Sequence, residues 1–202
     1  MPIYLILIAI GAGAYAIFRT SGGNSGGNMS SSSGANPFNL PDVDPSLQGG
    51  SYSRDYDSSF MLASALSGVP FALLKAHAIR ESSLKPQANH FDSAASGTSY
   101  GLLQVEWGGT KYNKVDRFAK APYNLSADEI GDGSILYDPD LNCKLGAMII
   151  AANLKWLKNN LRDSINAYNT GHAESKGEAP ANYVDDVMGY YSELVGKDIS
   201  NA

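Results

Sequence analysis

The chain has 202 residues, 44% of them apolar and 17% charged, with a formal net charge of −5. That length holds one good-sized domain plus further segments, and the acidic balance argues against a nucleic-acid binder, which carries a basic face. One cysteine, Cys143, rules out an intrachain disulfide.

The chain opens with an apolar stretch, residues 2–18, that has no charged side chain and is closed by Arg19. It lies at the short edge of a spanning helix, which takes about 17–25 apolar residues. A cleaved signal peptide competes, and Ala14-Tyr15-Ala16 resembles a small-x-small cleavage site. No Lys or Arg precedes the run, however, as a signal peptide requires. The expectation is an uncleaved N-terminal transmembrane anchor over residues 1–19. Residues 20–35 are rich in Gly, Ser and Asn, and residues 36–50 add three prolines and few apolar side chains. Such a stretch buries too little apolar surface to offset its ordering entropy. Residues 20–51 are therefore expected to be a flexible linker, and residues 52–202 the globular domain.

The domain reads as mainly helical. Residues 60–66 make a short helix broken at Ser67-Gly68. Pro70 suits the first turn of the next, in which Phe71, Leu74, Ala78 and Ile79 recur at helical spacing up to about Ser82. Residues 89–99 are polar and turn-rich, a loop or short hairpin, and residues 107–137 are irregular. Asp138-Pro139 opens the most hydrophobic helix, residues 141–157, with Leu145, Met148, Ile149, Ala152 and Trp156 on a broad face. Residues 164–168 are helical and stop at Asn169-Thr170-Gly171. Residues 181–194 form a last amphipathic helix through Tyr183, Val187, Tyr190 and Leu194.

Glu81 ends the apolar helix that starts at Pro70, a position that suits a general acid. Burial and the negative helix end both push a carboxyl pKa upward, and a shift to about 6 leaves enough acid to protonate a leaving oxygen. Alone, such a Glu is more often a solvated side chain paired with a neighbour such as Arg80 or Lys85. Its companions change the odds. Tyr100-Gly101-Leu102-Leu103-Gln104 joins a glycine that permits close backbone approach to an amide able to hold an acetamido or hydroxyl group. Ala167-Tyr168-Asn169-Thr170-Gly171 repeats aromatic, amide and glycine at a helix end. Cys143 sits in a helical apolar run and reads as a buried packing residue; its spacing to His77, His90 and His172 suggests no metal site.

The ordered blocks ALLKAHAIRESSLKPQA, YGLLQV, DPDLNCKLGAMIIAANLKWL, INAYNTG and YVDDVMGYY resemble the transglycosylase SLT domain of lytic murein transglycosylases, relatives of goose-type lysozymes. The resemblance runs from Phe60 to Leu194, with Leu103 where the family usually has Met. It implies a lysozyme-like, mainly α (α+β) fold with a peptidoglycan cleft and Glu81 as the single catalytic acid/base. Gln104, Tyr168, Asn169 and Tyr183 are then expected to bind the sugar chain, and Ser82 to help shape the Glu81 loop. The implied reaction cleaves the β-1,4 bond between N-acetylmuramic acid and N-acetylglucosamine. Glu81 protonates the glycosidic oxygen and then draws a proton from the muramyl 6-hydroxyl, closing a 1,6-anhydro ring with no metal or cofactor. The segment between Pro86 and Gly101 is longer than the family norm, which leaves Ser93 and Ser96 as candidates for the family's cleft serine. Asp92 and Glu106 are the obvious second carboxylates and match no motif.

A goose-type hydrolase and a catalytically silent peptidoglycan-binding module are the alternatives. An anchored wall-cutting domain fits the envelope of a bacterium or the virion membrane of a bacteriophage, with virion or envelope-machine proteins as further partners.

Overall fold

The computed structural model describes residues 9–10, 13–14, 36–109, 127–171 and 179–199. The chain divides into two units, residues 1–31 and 32–202. In the first, strands β1 (Ala9–Ile10) and β2 (Gly13–Ala14) pair antiparallel, Ala9 opposite Ala14 and Ile10 opposite Gly13. These four residues stand as strands where a continuous spanning helix was expected. The two glycines of Ile10-Gly11-Ala12-Gly13 each weaken a helix by about 1 kcal/mol relative to Ala. The rest of the expected anchor, and residues 20–35 of the expected linker, lie outside the described residues. Among the described residues no helix is long and apolar enough to cross a membrane.

The second unit is built around two early helices. Helix α1 (Asp57–Ser67) ends where Gly68 adopts φ 76° and returns its N–H to Ser64 O. Helix α2 (Phe71–Ser82) follows one residue after Pro70. Ten of its 12 residues are buried, so it runs through the core with no solvent face. Three of the buried residues are polar: Lys75, whose ammonium pairs with Asp57 at 2.7 Å and donates to Gln48 at 2.8 Å, His77 and Ser82.

Residues 36–50 belong to this packing rather than to a free linker. Leu40 is buried, and the Asp42 carboxylate accepts from Phe71 N at 3.0 Å and Ala72 N at 3.1 Å, capping the open N-terminus of α2. Gly49 N donates to Leu194 O at 3.0 Å, and the Tyr191 hydroxyl donates to Pro41 O. Leu40, with Phe38 and Val43 packed partly buried against the core, and a few well-placed polar groups hold this segment down. Its composition, which the sequence reading weighed as a whole, conceals them.

A three-stranded antiparallel sheet follows: β3 (Asn89–Ser93), β4 (Gly97–Tyr100) and β5 (Val105–Gly108). The hairpin β3–β4 fills the segment expected as loop or hairpin, and β5 was not foreseen. His90 lies opposite Ser99, which lies opposite Glu106. Beyond it come a short helix α3 (Ala127–Ile130) and a 3-10 turn, Ser134–Tyr137; residues 110–126 lie outside the described residues.

Helix α4 (Pro139–Trp156) starts as its sequence predicts, with the Asp138 carboxylate accepting from Leu141 N at 2.8 Å. It packs on α1 and α5 and brings Gly146 against Leu103: a Cβ at Gly146 would stand 2.4 Å from Leu103 Cδ1. Trp156, expected on its apolar face, is 59% exposed instead, at the helix's last turn. Helix α5 (Leu161–Thr170) begins three residues earlier than its predicted core and stops at Gly171. Helix α6 (Tyr183–Val195) packs along α2 and closes the core with Tyr183, Val187, Tyr191 and Leu194.

Candidate active site

The turn Tyr100–Gln104 is the pivot of the site, and nearly every backbone group in it is gripped from outside. Asn142, fully buried in α4, donates from Nδ2 to Tyr100 O at 2.7 Å and to Leu136 O at 2.9 Å, while its Oδ1 accepts from Leu103 N at 2.8 Å. The Ser82 hydroxyl reaches Leu102 O at 2.8 Å, and the Tyr168 hydroxyl donates to Leu103 O at 2.6 Å. Gly101 has φ +75°, and a Cβ there would meet Asn142 Nδ2 at 2.4 Å, so only glycine fits. Burial without water obliges each of these polar groups to find a partner. The result locks the ends of α2, α4 and α5 to one turn.

Glu81 is partly buried, one residue before the end of α2. Tyr183, buried at the first turn of α6, donates its hydroxyl to Glu81 Oε1. Burial first, and then the Glu81 charge, push the Tyr183 hydroxyl well above its ordinary range, so it keeps its proton as a donor. The same two causes raise Tyr168, which sets both phenols in the electrostatic reach of Glu81. Arg80 turns to α6: its guanidinium lies 5.2 Å from the Tyr183 ring centre and 3.0 Å from the Asp186 carboxylate.

A cavity of about 210 Å³ opens beside Glu81, lined by Glu81, His90, Asp92, Ser99, Gln104, Tyr168 and Asn169. Gln104 adopts φ 45°, and its Nε2 donates to Gly101 O at 2.8 Å and to Ala88 O at 3.1 Å. With both amide hydrogens used on the protein, Oε1 is the part offered to a ligand as an acceptor. Tyr168 presents a ring backed by His77, the ring centres 4.8 Å apart. Burial pushes His77 down to about 3 and keeps it neutral. Asn169 is exposed at the last turn of α5.

The predicted residues thus separate by position. Glu81, Gln104, Tyr168 and Asn169 line one cavity. Ser82 does not: it is buried and bonds to Ala78 O and Leu102 O, so it positions the helix end rather than touching a ligand. Tyr183 reaches the carboxylate of Glu81 rather than the cavity wall. Neither Ser93 nor Ser96 lines the cavity; Ser93 Oγ accepts from Ser96 N at 3.1 Å to shape the hairpin turn, and Ser99 is the serine on the wall. Of the two further carboxylates, Asp92 lines the cavity and Glu106 is buried outside its lining. Cys143 is buried and burial raises its thiol far above the ordinary range, in keeping with a packing role. Sequence reasoning missed His90, Ser99 and the clamp Asn142. A lone Asn inside the apolar run of α4 was the one available signal for the last.

Comparison with known proteins places this arrangement. The X-ray structure of an inactive mutant of lytic transglycosylase Slt from Pseudomonas aeruginosa is similar at 18% identity and a TM-score of 0.45, over 71% of this chain and 23% of that one. This chain therefore spans less than a quarter of that protein's length. No curated protein sequence matches it. The family model of the transglycosylase SLT domain matches residues 59–183, from the first turn of α1 to the first residue of α6. That match covers more than half of the chain and contains Glu81 together with every residue of the cavity wall: the chain belongs to the transglycosylase SLT domain family.

Proposed function

We propose that the chain is a peptidoglycan lytic transglycosylase in which Glu81 is the single acid/base of ring closure. The observation that carries this reading is the convergence on one cavity of Glu81, the acceptor amide of Gln104, the Tyr168 ring and the Asn169 amide, with the Tyr183 hydroxyl bonded to the Glu81 carboxylate. Neutral sugars are held by amides, hydroxyls and aromatic faces, and Gln104, Asn169, Ser99 and Tyr168 bring these to the wall.

In the proposed reaction Glu81 donates its proton to the oxygen between N-acetylmuramic acid and N-acetylglucosamine, and the bond from that oxygen to the muramyl anomeric carbon breaks. The muramyl acetamido group shares the positive charge that develops. Glu81, now a carboxylate, takes the proton of the muramyl 6-hydroxyl as its oxygen closes on the anomeric carbon. Tyr183 donates to the carboxylate in that second half and so supports the ionised state. A product with 1,6-anhydro ends results.

Glu81→Gln removes the proton donor and keeps the shape. It is expected to lower release of soluble fragments from sacculi by at least ~100-fold with unchanged circular dichroism; retained cleavage by the purified variant refutes the assignment. Binding to sacculi without any cleavage by the unaltered protein would favour a silent binding module. Under the same reading residues 1–19 anchor the chain in a membrane, of a bacterial envelope or a phage virion, with the catalytic unit facing peptidoglycan. Deleting residues 1–19 is then expected to move the protein from an alkali-washed membrane pellet to the supernatant.

A further inference from the structure

The cavity beside Glu81 holds a second carboxylate, that of Asp92, carried by strand β3 two residues after His90. Asn89, His90 and Phe91 of β3 pair in step with Tyr100, Ser99 and Thr98, but the next pair is Ser93 with Gly97. Asp92 is thus the extra residue of a β-bulge. Alternation along a strand puts residues two apart on the same face, and the bulge at Asp92 does not undo this. Both His90 and Asp92 line the Glu81 cavity, His90 Nε2 lying 3.6 Å from Asp92 Oδ1. The intervening Phe91 is 64% exposed. The Asp92 side chain is half exposed, in reach of both solvent water and anything bound against Glu81.

We infer that Asp92, oriented by His90, is the base of a hydrolytic branch that competes with ring closure in the same site. The inference rests on the lytic reading above. Two carboxylates flanking a glycosidic bond can divide acid and base work, one protonating the leaving oxygen while the other activates water on the opposite face of the sugar. In this branch Glu81 gives its proton to the departing N-acetylglucosamine oxygen as the bond to the muramyl anomeric carbon breaks. Asp92 takes one proton from a water whose oxygen bonds to that carbon. One water is consumed, the muramyl product carries a free reducing end with inverted configuration, and solvent exchange returns the proton from Asp92 to Glu81. The His90 imidazole, 3.6 Å from the carboxylate on the same cavity wall, biases it toward the cavity.

The test is the ratio of reducing to 1,6-anhydro muramyl ends, products that differ by one water and are separated by mass spectrometry of digested sacculi. A ratio does not depend on how much of a preparation is folded. The unaltered full-length chain is expected to yield both ends. Asp92→Asn is expected to lower the ratio by at least ~10-fold, Asp92→Glu to keep reducing ends in the mixture, and His90→Ala to lower the ratio by a smaller factor. An Asp92→Asn ratio equal to that of the unaltered chain overturns the inference, as does an unaltered chain that yields anhydro ends alone. Either result leaves the lytic reading standing. Absence of all cleavage by the unaltered chain removes that reading, and the branch with it.

Discussion

Helix α2 buries ten of its 12 residues, whereas strand β3 leaves four of its five exposed, and both deliver side chains to one cavity. The helix side is held by packing and by buried hydrogen bonds that converge on the Tyr100–Gln104 turn. The hairpin side is held by its own ladder and by contacts behind it: Asn89 Nδ2 donates to the Tyr137 hydroxyl at 2.9 Å, and the Tyr100 and Tyr137 rings meet edge to face. The difference teaches where precision is needed. Under the proposed function Glu81 is a proton donor that must stay within hydrogen-bond reach of one oxygen, and a buried helix suits that. A wall that meets water and substrate is served by an exposed strand.

The largest way to break this contrast is on the helix side, at Asn142. Asn142→Ala strands Leu136 O and Leu103 N in a dry interior and Tyr100 O at its partly buried edge. Each unsatisfied buried group costs roughly 1–3 kcal/mol, so a loss of at least ~3 kcal/mol is expected in urea unfolding. A loss below ~1 kcal/mol would show that the turn is not held from α4.

A smaller effect comes from His77, in contact with Tyr168 and with Nδ1 unpartnered among the described residues. Burial lowers it from 6.5 to about 3. Below pH 6.5 the unfolded chain takes up a proton that the folded chain refuses until about pH 3. The stability due to neutral His77 is therefore full above pH 6.5 and declines steadily as pH falls from 6.5 to 3, by an amount on the order of a few kcal/mol. His77→Phe cannot titrate, and its stability should fall less between pH 7 and pH 4.5. Equal slopes for the two proteins would remove His77 as the source.

The smallest effect belongs to the hairpin. Phe91→Ser changes a side chain that is 64% exposed, and stability should stay within ~0.5 kcal/mol of the unaltered chain. A larger loss would mean that the strand is braced through Phe91 and that the two sides are less different than their burial indicates.

Much of the site is legible in the sequence because its elements are local. Glu81 at the end of an apolar helix, Gly101 where positive φ is required, and Tyr168-Asn169 before the Gly171 stop are each set by residues within one turn. The partners of those elements are not local. Asn142 looks like one polar residue in an apolar run until the fold sets it 39 residues from Leu103 N in sequence and 2.8 Å in space. Tyr183 reads as a cleft residue because a motif records that a residue matters without recording which way it faces. Asp92 reads as loop because its bulge depends on cross-strand register. Residues 36–50 read as tether because their composition is polar, although Leu40 and the Asp42 cap give them a place on the domain.

By itself, then, the sequence determined the five longer helices of the domain, their stops and the carboxylate at the end of one of them, since periodicity, capping and backbone conformation are decided by near neighbours. Only the tertiary structure decided that Tyr183 meets Glu81, that Ser99 rather than Ser93 or Ser96 lines the cavity, and that Asp92 stands beside it as a second carboxylate. Those relations depend on register and on long-range burial, where a one-residue step in a strand changes the face a side chain presents.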